Sequence, residues 1–159
     1  MAFRSEILVK LDKKGRVAFP AAFRDELPDG QRDGFVLYRS NTVAGLVNGN
    51  SRAGFDGMLA RLRAEALGPK ASLKAVLDDE AFDPAGMMSS QAREIRLDPD
   101  GRFVLPEEFI DMLDARAEGV VLLGRGEKFQ LWNPARWQVR READTARMAA
   151  FLRGLDGAA

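Results

Sequence analysis

The chain contains no cysteine and no histidine. Without thiols there is no disulfide framework, thiolate nucleophile, zinc finger or iron–sulfur cluster. Without imidazole there is no Ser-His-Asp or Cys-His relay and no histidine ligand for zinc. No catalytic residue, metal site or cofactor is therefore expected, and the chain reads as a binding protein rather than an enzyme. Long apolar runs are also missing. The longest, Val17 to Phe23, spans seven residues and includes Pro20, far short of the roughly 20 needed to cross a membrane. Residues Met1 to Glu6 lack the apolar core of a targeting segment, so a soluble, cytoplasmic protein with no membrane partner is expected. Charge of one sign is lacking too, since 24 basic side chains balance 24 acidic ones among 159 residues. A nucleic-acid-binding domain is usually basic, which makes the distribution of charge the next question.

What is present, first, is an internal repeat with an offset of 86 residues. Leu11 to Leu27 aligns with Leu97 to Leu113, with eight of seventeen positions identical, among them Asp12/Asp98, Gly15/Gly101, Arg16/Arg102 and Pro20/Pro106. Two copies suggest a pseudo-dimer more than a solenoid, which needs about three repeats. Each copy begins with strand alternation, Ile7-Val9-Leu11 and Ile95-Leu97. Asp-x-x-Gly then turns the chain, because Asp can bond the backbone ahead of it and Gly accepts positive φ. A second strand carries Val17 and Phe19, matched by Phe103 and Leu105. Pro20 and Pro106 mark helix starts, with Phe23/Leu27 and Phe109/Leu113 on the buried faces.

A hairpin follows in each half. Phe35–Tyr38 is answered near Val43–Val47, and Val120–Leu123 turns at Gly124-Arg125-Gly126 into Phe129–Trp132. Longer helices come next: one with a Phe55-Met58-Leu59-Leu62 stripe, one capped by Asn133-Pro134 with an apolar face including Trp137, Met148, Phe151 and Leu155. Residues 83–92, with Pro84, Gly86 and Ser89-Ser90, read as a linker between a unit over 1–82 and another over 93–159.

Zero net charge is an average over unlike segments. Residues 1–24 hold six basic side chains against two acidic ones, and residues 104–118 hold five acidic against one basic. Phosphate attraction follows the local field, screened over roughly 8–10 Å at moderate salt, so a neutral chain can carry a basic face. The sharpest constellation is Asp12-Lys13-Lys14-Gly15-Arg16, with Asp98-Pro99-Asp100-Gly101-Arg102 as its counterpart. A guanidinium fork can engage guanine O6 and N7 together, while lysine suits phosphate. Arg16 is thus the expected base reader, Lys13 and Lys14 the phosphate contacts, with Arg4 and Lys10 in support. Asp12 would brace the turn. The second loop has exchanged both lysines, so Arg102 is expected to be structural or auxiliary.

Rival constellations have simpler readings. Asp98-Pro99-Asp100-Gly101 resembles part of a calcium loop, but Phe109 stands where the bidentate carboxylate belongs. Asp78-Asp79-Glu80 reads as a solvated helix end, Gly124-Arg125-Gly126 as a hairpin turn, and Trp132 and Trp137 as core. Arg136, Arg140, Arg141, Arg147 and Arg153 read as a solvated helix face.

These residues resemble a known family. Leu11-Asp12-Lys13-Lys14-Gly15-Arg16-Val17-x-x-Pro20-x-x-Phe23-Arg24 looks like the first signature of the MraZ transcriptional regulators. Leu97-Asp98-x-x-Gly101-Arg102-x-x-Leu105-Pro106, with Val121-x-Leu123-Gly124-x-Gly126-x-Lys128-Phe129-x-x-Trp132, looks like the second. The resemblance implies an α+β, mainly β fold: an internal pseudo-dimer of two AbrB/SpoVT-like swapped-hairpin units forming a small β-barrel with flanking helices. It also implies a ring-shaped homo-oligomer that binds repeated sites in double-stranded promoter DNA of a division and cell-wall gene cluster, its own promoter included, usually as a nucleoid-associated repressor. No small-molecule substrate is expected. The alternative is an antitoxin-like or scaffolding interaction module of the AbrB class, with a barrel enzyme a distant third.

Overall fold

The computed structural model describes residues 2–68 and 73–157. Strands β1 (Glu6–Val9) and β2 (Arg16–Ala18) lead into the short helix α1 (Ala21–Arg24). Strands β3 (Gly34–Arg39) and β4 (Leu46–Asn50) lead into α2 (Arg52–Leu67). Helices α3 (Leu73–Leu77) and α4 (Pro84–Gln91) carry the chain to β5 (Arg93–Arg96) and β6 (Arg102–Val104). Then follow α5 (Glu107–Leu113), α6 (Ala115–Glu118), β7 (Val120–Gly124), β8 (Phe129–Trp132) and α7 (Pro134–Gly157). No helix among the described residues is long and apolar enough to cross a membrane.

Six strands form one antiparallel sheet in the order β1-β7-β8-β4-β3-β5, and β2 pairs with β6 in a separate ladder. The pairing obeys a simple symmetry. Exchanging β1 with β5, β2 with β6, β3 with β7 and β4 with β8 leaves every pairing unchanged. Each half's opening strand joins the other half's hairpin, β1 on β7 and β5 on β3. The symmetry point falls where Asn48 faces Gln130 on β4 and β8.

Period-two alternation sorts the hairpin strands by face. Phe35, Leu37, Val47, Val120, Leu122, Phe129 and Leu131 point to the inner face, where Val17, Phe19, Phe103 and Leu105 of the β2 and β6 segments close over them. Phenylalanines from both halves meet here. Phe19 stacks on Phe35 at 4.5 Å and meets Phe23, Phe103 and Phe129 at tilted or edge geometries, the arrangements that ring quadrupoles favour. Gly49 makes room for this cluster, since a Cβ on its inner side would lie 2.2 Å from the Phe129 ring. On the outer face α2 packs Phe55 on Val36 and Tyr38, and α7 packs Trp137 near Leu46, Val121 and Trp132.

Several expectations need correction. The fold is α+β, as expected, but not mainly β, because α2 and α7 contribute 16 and 24 residues against strands of three to six. The sheet does not close into a barrel among the described residues: β1 and β5 are the edges of an open order. Pro20 and Pro106 follow β2 and β6, of three residues each, and start α1 and α5; among the described residues these two strands pair with each other and not with the larger sheet. The answering strand β4 starts at Leu46, three residues beyond Val43. Residues 83–92 are largely helical. Asp83 accepts from the Gly86 N–H at 2.9 Å, Pro84 takes the first turn and Ala85 is buried. Turn-forming residue types there serve as a helix start. The last helix begins as expected, with Asn133 accepting from the Arg136 N–H at 3.1 Å. Its apolar face is buried only at Trp137, whereas Met148, Phe151 and Leu155 are more than half exposed, because α7 runs on past the sheet it caps.

The packing sets a clear stability contrast. Replacing Phe19 with Ala deletes the ring that joins the two halves and should cost about 3–5 kcal/mol. Phe82→Ala, at an 80% exposed position, should stay within about 0.5 kcal/mol of the parent. Urea unfolding of the two variants measures the difference.

Candidate nucleic-acid interface

The antiparallel β2–β6 ladder pairs Arg16 with Val104, Val17 with Phe103 and Ala18 with Arg102. Val17 and Phe103 face the core, so alternation turns Arg16, Ala18, Arg102 and Val104 outward. Both repeat arginines therefore lie on the outer side of one short ribbon. They sit on different strands two pairing steps apart, roughly 8 Å from each other by strand geometry.

Each loop before the ribbon is built on its aspartate. Asp12 Oδ1 accepts from the Lys14 and Arg16 N–H groups at 2.9 and 2.8 Å, and Asp12 Oδ2 accepts from Arg16 Nε at 2.6 Å. Gly15 donates to the Asp12 carbonyl at 3.1 Å and holds φ at 77°, in the region glycine occupies at least cost. The second loop repeats the design. Asp98 Oδ1 accepts from Asp100 and Arg102 N–H groups, both at 2.9 Å, Arg102 Nε reaches Asp98 Oδ2 at 3.1 Å, and Gly101 has the same φ. Each loop is also stitched to the other repeat's strand: Leu105 N–H donates to Gly15 and Phe19 N–H to Gly101, at 3.0 and 2.9 Å. Asp12 therefore braces turn and arginine together.

The loops differ at the arginine tips. Arg102 Nη2 is also held by Asp100 at 3.2 Å, whereas Arg16 makes no side-chain bond beyond Asp12 among the described residues. Lys14 stands where Asp100 stands in the second loop, exposed like Lys13. An exposed ion pair of this kind contributes little stability. Its effect is to aim the guanidinium.

The remaining predicted residues are not all at the ribbon. Lys10 follows β1 on the loop's side and is exposed. Arg4 lies at the other end of β1, its backbone against Gly124, and is not brought together with the loops. Arg24, outside the predicted set, is brought in: its guanidinium lies 2.5 Å from the point where a Cβ on Gly101 would stand. Its Nε is buried with no hydrogen-bond partner among the described residues. The repeat contains the signal for this, since Arg24 aligns with Ile110, which packs on Gly15 in the same way. The acidic excess of the second half is partly neutralised within the chain, Glu107 by Arg116 at 2.8 Å and Glu108 by Arg93 at 2.6 Å. On α7, Arg136 donates to the Ala44 carbonyl, Arg141 pairs with Glu6, and Arg140 and Arg147 share Asp144. Trp132 and Trp137 are buried, as core residues rather than a base-stacking platform. Asp78 caps its own turn at Glu80 N–H. No group of three or more acidic side chains is placed to hold a metal ion among the described residues.

The Arg16 N–H bond, followed by the guanidinium and the Lys14 N–H, holds the Asp12 carboxyl below its ordinary value of 3.8; the Arg102 N–H does the same for Asp98. A carboxyl depressed by folding supports the loop above its unfolded-state value and loses that support as pH falls through the lower folded value. Carbon-detected NMR titration should therefore place both midpoints below 3.8. Arg16→Ala should raise the Asp12 midpoint only part of the way, because the residue-16 N–H still donates. A midpoint that does not move would deny the guanidinium any share.

The family model described as "MraZ protein, putative antitoxin-like" matches residues 88–153. The chain is similar to proteins named Transcriptional regulator MraZ. One, from Xanthobacter autotrophicus, is 30% identical over 151 residues, covering 92% of this chain and 86% of the relative. Another, from Pseudomonas syringae pv. syringae, is 30% identical over 91% of this chain and 88% of its own length. A third, from Roseiflexus castenholzii, is 28% identical over 96% of both. Identity at this level over nearly the full length of both chains, on top of the doubled Asp-x-x-Gly-Arg ribbon, places this chain in the MraZ family.

Proposed function

We propose that the chain is a non-catalytic, sequence-specific DNA-binding transcriptional regulator that docks its β2–β6 ribbon in the major groove. The observation that carries the reading is the outward pair Arg16 and Arg102 on one two-stranded ribbon, with the Arg16 guanidinium bound by no side chain but Asp12 among the described residues. The major groove is about 12 Å wide and admits such a ribbon. Arg16 reads a base edge, Lys13, Lys14 and Lys10 neutralise phosphates, and Arg102 stays braced by Asp98 and Asp100. Asp12 and Gly15, like Asp98 and Gly101, shape the loops. Arg4 belongs to a separate surface. The names of the relatives support the regulatory role.

The finer reading is a pseudo-dimer of two AbrB-like units, residues 1–82 and 93–159, that exchange their opening strands. The exchange symmetry of the strand pairings supports it. One loop offers little charge, so useful affinity comes from a ring of chains whose loops engage repeated promoter sites at high effective concentration. The exposed apolar side of α7 supports such assembly. The regulated sites lie in the promoter of a division and cell-wall gene cluster, the chain's own included, and the protein acts on the nucleoid in the cytoplasm as a repressor.

Mobility-shift titration against the chain's own upstream region tests this. Arg16→Ala should cost specific binding about 1–3 kcal/mol per reading site, multiplied across the assembly, while leaving oligomer size unchanged. Lys14→Ala should weaken all sequences alike and flatten the salt dependence by about one phosphate. Arg102→Ala should have a smaller effect than Arg16→Ala. Unchanged specific affinity in Arg16→Ala overturns the proposal.

A further inference from the structure

The outer face of the sheet carries a groove that the DNA-binding reading leaves unused. Its walls are α2 on one side and α7 on the other, and its floor is the β4–β8 pair at the symmetry point. Two adjoining cavities of about 490 and 640 Å³ share Arg125 and Lys128 from the β7–β8 turn. Asn48, Gln130 and Trp132 line the first, and Tyr38, Asn50 and Arg61 line the second.

The charges in this groove are poorly matched. Arg61, Arg125, Lys128 and Arg140 face it against Glu127 and Asp144. Asp144 is already engaged by Arg140 at 3.1 Å and Arg147 at 2.9 Å, with Arg125 at 3.7 Å. Neither Lys128 nor Arg61 has a carboxylate within 4.0 Å among the described residues. Lys128 is partly buried, and burial, followed by the neighbouring Arg125, lowers its pKa. Among the described residues no carboxylate stands within 4.0 Å to offset that cost. A desolvated ammonium without a counter-ion is stabilised by an anion from outside.

The floor supplies neutral donors. Asn48 Oδ1 accepts from Gln130 Nε2 at 3.0 Å, and Gln130 Oε1 accepts from Trp132 Nε1 at 2.9 Å and Arg125 Nε at 3.3 Å. Asn50 Oδ1 accepts from the Tyr38 hydroxyl. The carbonyl ends of Asn48 and Asn50 are thus occupied, and their Nδ2 groups have no partner among the described residues. Each cavity is left with an amide N–H donor beside a shared pair of cations.

We propose that this groove is a binding site for a small polyanion, an organic phosphate or a multiply carboxylated metabolite, seated on Lys128, Arg125 and the Asn48 and Asn50 amides. Its volume lies in the usual range for small-molecule sites. The ribbon is on the opposite face of the sheet, so the ligand and a duplex do not compete for the same atoms. The ligand is an effector and not a substrate, since no reacting group faces it.

Trp132 and Trp137 are the chain's two tryptophans. Both lie at this face, and intrinsic fluorescence reports on it directly. Inorganic pyrophosphate and citrate are titrated separately into the full chain, with chloride at matched ionic strength as reference. The proposal expects a saturable change with at least one of them, one site per chain; pyrophosphate alone assigns phosphate chemistry and citrate alone carboxylate chemistry. Lys128→Met should weaken binding about tenfold or more, as loss of a charge-assisted bond does. Arg61→Met, at an exposed helix position, should weaken it less and keeps the test open if Lys128→Met fails to fold. Arg16→Ala should bind the anion normally even though its DNA binding is lost. A response that is only linear, that matches chloride, that survives both groove substitutions, or that disappears in Arg16→Ala overturns the proposal.

Discussion

The three-pair ladder between β2 and β6 is the constraint on which the rest of the molecule depends. It is too short to be stable alone. It holds because Val17, Phe19, Phe103 and Leu105 are driven onto the inner face of the larger sheet. That burial fixes the outward direction of Arg16 and Arg102, and it places each Asp-x-x-Gly loop against a helix from the opposite half. The apolar core and the charged outer face are two sides of the same six residues. A substitution that loosens the core also misaims the arginines, even with every charged group present.

The pairing of each half's opening strand with the other half's hairpin ties the halves together further. β1 has its pairing partner in β7 and β5 has its partner in β3, so neither half completes its sheet alone. The partners are more than a hundred residues apart for β1 and about sixty for β5. Closing such long loops costs entropy that only the completed core repays. The antiparallel sheet therefore runs through strands of both halves. The helical character of residues 84–91 agrees with this, because α4 packs Met88 against the cluster around Val36, Tyr38 and Phe55.

Much of this was legible in the residues. The repeated Asp, Gly, Arg and Pro disclosed both loops, because each type has one local job that alternatives perform badly. The hairpin at Gly124 to Gly126 and the Asn133 cap were legible for the same reason. The pairing of β1 with β7 was not, since alternation tells which side of a strand is buried and not which strand lies beside it. α4 was hidden because Asp, Pro and Gly serve turns and helix starts alike. Arg4 lies at the end of β1 away from the loop, because nearness in sequence means little once a strand runs the chain in between. The groove between α2 and α7 was invisible, because its floor comes from two strands 80 residues apart and its charge from a turn read only as a turn.

The symmetry of the backbone is not carried through to its charges. Lys13 and Lys14 give one loop a positive tip, while Pro99 and Asp100 give the other a tip that holds its own arginine. Arg24 in turn places a cation over the second loop, where the first has the aliphatic Ile110. A twofold-symmetric reader matches a palindromic site, but these two loops present different chemistry to a duplex. On the reading proposed above, one chain supplies one reading loop and one braced loop. The proposed recognition of repeated sites therefore calls on neighbouring chains of the proposed assembly rather than on the two halves of one chain. The duplicated fold supplies the mount, and the divergence of its loops leaves Arg102 held by a second carboxylate while Arg16 has Asp12 alone among the described residues.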